Sequence, residues 1–288
     1  MTVAVGQRCA SVARALGEPL GGTGPTAARW LCLEHPEPWP RDVSRHPDPK
    51  IKALLDRATS AGFRPLLIRR SDGTTGTSRR VLMADTDPGR TAGTMHTVTE
   101  PADIPLPAPG DPLPGVPTPP ALLVCTHAER DPCCGTDGRA LVDALAAAGV
   151  PDVWECSHLG GHRFAATALV LPAGYLYGHL GVDGVIAVRT AIVAGAVVTE
   201  GCRGRSTWSA AGQVAELAVR AATGISAVDA LTVHPDDGGT VLVSNRSGVR
   251  WSVELTASDS DTVRPASCGA RPTLVSGLHA TAVVPLPR

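Results

Sequence analysis

The order of element types along the chain predicts an α/β fold in two unequal parts. Three observations carry that expectation. Residues 121 onward read as strand, helix, strand, hairpin and helix, residues 28–86 echo that order in shorter form, and residues 101–120 between them hold nine prolines in twenty. A segment so rich in proline lacks backbone donors and runs extended, so it should link the two parts rather than enter a sheet interior. The expected organisation is a smaller α/β domain over 1–100, a linker over 101–120, a second α/β domain over 121–225 and a β-rich extension over 226–288.

The elements follow in order. Cys9 to Leu16 has helical apolar spacing and ends in the breakers of GEPLGGTGPT. ARWLCLEH reads as a buried strand, and PEPWPRDVSRHPDP as a loop. KIKALLDRATSAG is a predicted helix with Ile51, Leu54, Leu55 and Ala58 on one face and Gly62 at its stop. FRPLLIRR and RRVLMADT are predicted strands about the polar connection SDGTTGTS. Beyond the linker, ALLVCTH is continuously apolar, as in a strand buried on both faces. GTDGRALVDALAAAGV is a predicted helix, VWECS a strand, and ATALVLP with GYLYGHL a hairpin about Pro172, Ala173 and Gly174. VDGVIAVRTAIVAG and SAAGQVAELAVRAATG are predicted helices separated by VTEGCRGRSTW. Strand, helix, strand, hairpin, helix is the thioredoxin-like order, and its echo in the first half is the pattern of a degenerate duplication. The last sixty residues alternate as strands do, in TVLVSNRSGVRWSVEL and HATAVVPL.

Composition narrows the function. With 26 basic and 27 acidic residues the formal charge is −1, which gives no pull toward nucleic acid or an anionic membrane. The longest apolar run, VIAVRTAIVAGAVV, is broken by Arg189 and falls short of the roughly 20 residues that span a bilayer. MTVAVGQRCASVARAL lacks the apolar core of a secretory signal, so a cytoplasmic location is expected. In a reducing compartment eight cysteines read as buried packing, metal ligands or redox thiols rather than as a disulfide framework.

Four of those cysteines and three of nine histidines fall between Cys125 and His162. Thiolate and imidazole together are the ligands of zinc and iron–sulfur sites. Cys125 ends a strand, where α/β proteins build sites. Cys133 and Cys134 stand at the threshold of the next helix, where free backbone N–H groups favour thiolate. His158 and His162 would share a helix face, but the intervening Gly160 and Gly161 each cost about 1 kcal/mol there, so a loop pair is expected. Leu159 occupies the position where a zinc protease would need glutamate. The other candidates carry plainer readings. Cys9, Cys32 and Cys202 are expected as packing, Cys268 as a structural or surface thiol, and Cys133 and Cys156, beside Cys134 and His158, each as either a ligand itself or a resolving thiol. His127 is expected to support a ligand, Arg130 to pair with Asp131, and Arg163 to place charge beside His162.

CTHAERDPCCGTDG followed by ECSHLGGHRFA closely resembles the sucrase/ferredoxin-like proteins, relatives of the thioredoxin-like [2Fe-2S] ferredoxins, and the likeness extends to ARWLCLEHPEPW. In those ferredoxins two cysteines come first, the second with a glycine beyond it, as Gly138 lies beyond Cys134, and the other two ligands are four apart. The resemblance therefore implies a thioredoxin-like ferredoxin domain with Cys125, Cys134, His158 and His162 as ligands, imidazoles standing where the ferredoxins have a cysteine pair. Neutral imidazoles leave the cluster less negative, which implies a relatively high reduction potential. Ring N–H groups open to solvent imply that this potential depends on pH. The implied activity is electron transfer with a redox partner protein rather than a stand-alone reaction. Glycoside cleavage needs two carboxylates flanking the bond, and this region offers no such pair. Two alternatives use the same residues: a structural Cys2His2 zinc module, and a thiol oxidoreductase built on Cys133 with Cys134 or Cys125. The latter is weakened by the strain of a vicinal disulfide and the lack of a C-x-x-C motif.

Overall fold

The computed structural model describes residues 8–287 except 37, 72–75, 77 and 236–238. Most of the polar connection expected at 71–78 thus lies outside the described residues. The fold is mixed α/β with two sheets. In the first half, α1 (Cys9–Ala15), β1 (Arg29–Glu34), α2 (Pro49–Ser60), β2 (Arg64–Arg70) and β3 (Arg79–Asp85) fall where hydrophobic spacing puts them. α2 starts where the Asp48 carboxylate accepts from the Lys50 N–H and Pro49 takes the first helical position, a strong local start signal. β4 (Ala92–Val98) was not expected, because AGTMHTV buries only Thr94 and shows no apolar alternation. β5 (Val116–Pro117) is as far as the proline-rich segment enters the sheet, pairing on the outer edge of β4.

In the second half come β6 (Ala121–Cys125), a one-turn π-helix over Cys134–Gly138 running into α3 (Arg139–Ala147), β7 (Val153–Cys156), β8 (Ala168–Leu171), β9 (Tyr175–Tyr177) and α4 (Val182–Val193). β10 (Cys202–Arg205) is a strand within the segment expected to be a connection. Its two arginines hid it from a hydrophobicity pattern, yet both are buried. α5 (Ala210–Thr223) begins at Ser209, whose hydroxyl accepts from the Gly212 N–H.

Ten strands form one sheet in the order β10-β9-β8-β6-β7-β2-β1-β3-β4-β5. Within it the two halves repeat one arrangement. β1 and β2 are parallel across α2, and β3 and β4 follow antiparallel on the far side of β1. β6 and β7 are parallel across α3, and β8 and β9 follow antiparallel on the far side of β6. The halves meet where β2 runs antiparallel to β7, with Ile68 opposite Cys156. Because strand side chains alternate faces, Leu31, Leu33 and Leu67 pack under α2, and Leu122, Val124 and Val153 pack under α3 and α4. The opposite face joins Trp30, Leu66 and Leu82 to Leu123, Trp154 and Leu169 in one core shared by both halves.

The extension forms a second sheet of β11 (Leu231–Val233), β12 (Thr240–Asn245), β13 (Arg250–Pro265) and β14 (Pro272–Leu286). It is anchored by α5, whose Ala215 and Val219 pack with Leu231, Val241 and Val253. β13 has 16 residues, roughly 50 Å of extended chain. That reach returns the hairpin tip, with Cys268, to the neighbourhood of Asp131. Among the described residues no helix is long and apolar enough to cross a membrane.

Candidate metal centre

Cys125 is the last residue of β6, and His158 follows the end of β7 by two residues, so both lie at the carboxyl edge of the parallel pair. The edge is held together by backbone. The Thr126 N–H donates to the Cys156 carbonyl at 3.2 Å and the Ser157 N–H to the Leu67 carbonyl at 2.8 Å. Beneath it, the buried Glu155 carboxylate accepts from Thr126 Oγ1 and Arg69 at 2.8 Å and from Arg139 at 2.6 Å. One fully engaged carboxylate thereby ties β2, β7, the start of α3 and the loop after Cys125.

The chain brings Cys134 back to Cys125 by an unusually close approach. A Cβ on Gly138 would lie 2.0 Å from the Cys125 carbonyl oxygen, so only glycine lets the helix start meet the strand end. As a result the Cys125 and Cys134 sulfurs and His158 Nδ1 all lie within 4.8 Å of one another. The Nδ1 atom is 3.9 Å from the Cys125 sulfur and 3.8 Å from that of Cys134. Both cysteines are completely buried. The hydrogen bond from Cys134 holds the Cys125 thiol well below its usual pKa, while that same bond and burial hold Cys134 above its own.

HLGGH is a loop, as its glycines require: Gly160 and Gly161 have φ of 84° and 71°. A side chain on Gly161 would also meet the guanidinium of Arg203, 2.2 Å from its nearest nitrogen. Arg203 is fully buried on β10 and donates to the Gly160 carbonyl and to Thr23 Oγ1, both at 3.0 Å. Burial lowers its pKa to about 10, so it stays charged at neutral pH, with the Cys125 and Cys134 sulfurs among the groups that favour its charge. Nothing in the sequence marked it, because an arginine in CRGR reads as surface.

The structure places the four predicted ligands unevenly. Cys125, Cys134 and His158 converge; His162 stacks on His158 with ring centroids 5.4 Å apart and 26° between planes. Its Nδ1 turns the other way, 3.3 Å from Asp131 Oδ2 and 3.6 Å from the Cys9 sulfur. His127, expected to support a ligand, is buried against the backbone of His158. Its Nδ1 accepts from the His158 N–H at 3.2 Å, which leaves Nε2 to donate toward the Trp39 carbonyl at 3.4 Å. Burial lowers its pKa, in keeping with that neutral form. Asp131 does not pair with Arg130 as expected. It turns inward, accepting from the Cys133 N–H at 2.9 Å and the Cys268 N–H at 3.0 Å. Arg163 spends its charge on the buried Glu18 at 2.7 Å, which also holds Arg264 of the extension.

Cys133 points away from Cys134, into a second group with Cys9, Cys268 and Asp131. Sequence reasoning treated Cys9 and Cys268 as packing or surface thiols; they lie 124 and 135 positions from Cys133, and no local spacing marks them.

The family model described as sucrase/ferredoxin-like matches residues 20–204. The chain belongs to the sucrase/ferredoxin-like family. No curated protein and no solved structure matches it. The family match covers Cys125, Cys134, His158, His162 and Arg203, whereas Cys9 and the whole extension with Cys268 fall outside it.

The donor set fits an iron–sulfur cluster in kind: two buried sulfurs, the His158 imidazole with that of His162 stacked on it, and a buried cation that offsets added negative charge.

Proposed function

We propose that this family member is an electron carrier that holds a [2Fe-2S] cluster through Cys125, Cys134, His158 and His162. The observation that carries this reading is the meeting of two buried thiols and an imidazole at the carboxyl ends of β6 and β7, with His162 stacked alongside. The order β9-β8-β6-β7, with β6 and β7 parallel and the others antiparallel, supports reading residues 121–225 as a thioredoxin-like ferredoxin domain. When bound, such a cluster takes up and releases single electrons.

The chain supplies binding, asymmetry and charge. Cys125 and Cys134 are shut away from water, while His158 is partly exposed and the His162 side chain is 15% exposed. The imidazole edge is therefore the side open to a redox partner protein. Neutral imidazoles and the buried Arg203 both favour added negative charge, which makes the potential relatively high.

A second reading has its own observation. The sulfur-to-nitrogen separations of 3.8 and 3.9 Å are close to the edge of about 3.6 Å expected for thiolate and imidazole on one tetrahedral zinc. That favours a structural zinc module.

Replacing His158 or His162 by cysteine separates the readings. In the carrier each variant should keep its colour and lower its midpoint potential by on the order of 100 mV, as thiolate replaces imidazole. Potentiometric titration followed by visible absorption measures it. Unchanged spectra and potentials would remove the histidines from the ligand set.

A further inference from the structure

We propose a second, separate metal site in which Cys9, Cys133 and Cys268, closed by the Asp131 carboxylate, bind zinc. The three sulfurs form a nearly equilateral triangle: 3.6 Å from Cys9 to Cys133, 3.4 Å from Cys133 to Cys268 and 3.7 Å from Cys268 to Cys9. Thiolates at about 2.3 Å from one tetrahedral zinc stand about 3.8 Å apart. A disulfide would instead draw two sulfurs to about 2 Å and leave the third outside. All three cysteines are free.

The fourth corner is also present. A carboxylate oxygen of Asp131 lies within 4.8 Å of all three sulfurs, and its two oxygens are 3.8 and 3.9 Å from Cys9. Asp131 is 2% exposed, and the amides of Cys133 and Cys268 fix its orientation while leaving lone pairs for a cation. Cys9 and Cys133 are completely buried and Cys268 partly so, which leaves one approach from solvent. Three soft sulfurs and one carboxylate in a tetrahedral arrangement suit zinc better than magnesium or calcium. Binding displaces the three thiol protons.

The donors come from three places in the chain: the start of α1, the loop after β6 and the tip of the β13–β14 hairpin. Two of the three lie outside the family match at 20–204. The site would staple both flanking segments to the loop that carries Cys134, with His162 of the first site 3.3 Å from Asp131. It stands independently of what the Cys125, Cys134 and His158 group binds.

The test is elemental analysis of the purified full chain beside its Cys9→Ser and Cys268→Ser variants; neither residue touches Cys125, Cys134 or His158, and since Cys9 lies 3.6 Å from His162 Nδ1, Cys268→Ser is the variant that reads the second site alone. Each variant should hold one zinc per chain fewer than the parent, with the metal content of the other site unchanged. Should either variant fail to fold, cobalt added to the demetallated parent chain gives a second readout. A thiolate-to-cobalt charge-transfer band should grow, and prior addition of one equivalent of zinc should suppress it. The proposal is overturned if the parent shows Cys9, Cys133 and Cys268 all open to alkylation in the native state, if intact mass shows a disulfide among them, or if Cys268→Ser strips the metal of the first site instead.

Discussion

Gly138→Ala should abolish metal incorporation at Cys125 and Cys134 and destabilise the chain by about 3 kcal/mol. The added methyl would lie 2.0 Å from the Cys125 carbonyl oxygen and 3.0 Å from its carbon, both backbone atoms that no rotamer change can move aside. Relief requires the π-turn at Cys134–Gly138 to lift from the end of β6, which carries the Cys134 sulfur away from that of Cys125. A lowered Tm together with lost visible absorption or lost metal is the expected result. A Gly138→Ala protein with the parent's metal content and Tm would show that the close approach does not position the site.

The second large effect concerns Arg203. In Arg203→Leu the Gly160 carbonyl and the Thr23 side chain lose their buried donor, each at a cost of about 1–3 kcal/mol. In the proposed carrier the lost positive charge also disfavours the reduced state, so the midpoint potential should fall by about 60 mV, a tenfold change for a one-electron couple. Arg203→Lys separates the two roles: it keeps the charge but cannot span Thr23 and Gly160 with a planar fork. It should therefore lower Tm while holding the potential near that of the parent. Equal potentials in the parent and Arg203→Leu would exclude an electrostatic role.

These two residues mark the limits of what the sequence reveals. Strands such as ALLVC and helices such as Pro49–Ser60 were legible because apolar spacing and caps are local signals. The loop conformation of HLGGH was legible for the same reason, since paired glycines argue against a helix over a few residues. Gly138 was visible only as part of a resemblance; its physical role, room for the Cys125 carbonyl, depends on how β6 meets α3. β4 and β10 escaped because one buries a single residue and the other buries arginines, so neither carries an apolar pattern. The grouping of Cys9, Cys133 and Cys268 was beyond reach, because it requires the roughly 50 Å strand β13 to return a hairpin tip to the other end of the fold. Asp131 illustrates the same limit. Beside Arg130 it suggested a local pair, and tertiary structure gave it partners from elsewhere in Cys9, Cys268 and His162.

The most direct test of the central claim is iron and acid-labile sulfide quantification on protein purified without oxygen, paired with electron paramagnetic resonance after reduction. A carrier of a [2Fe-2S] cluster should be red-brown, contain about two irons and two sulfides per chain and give a rhombic signal when reduced. A colourless protein holding one zinc at Cys125, Cys134 and His158 would contradict it.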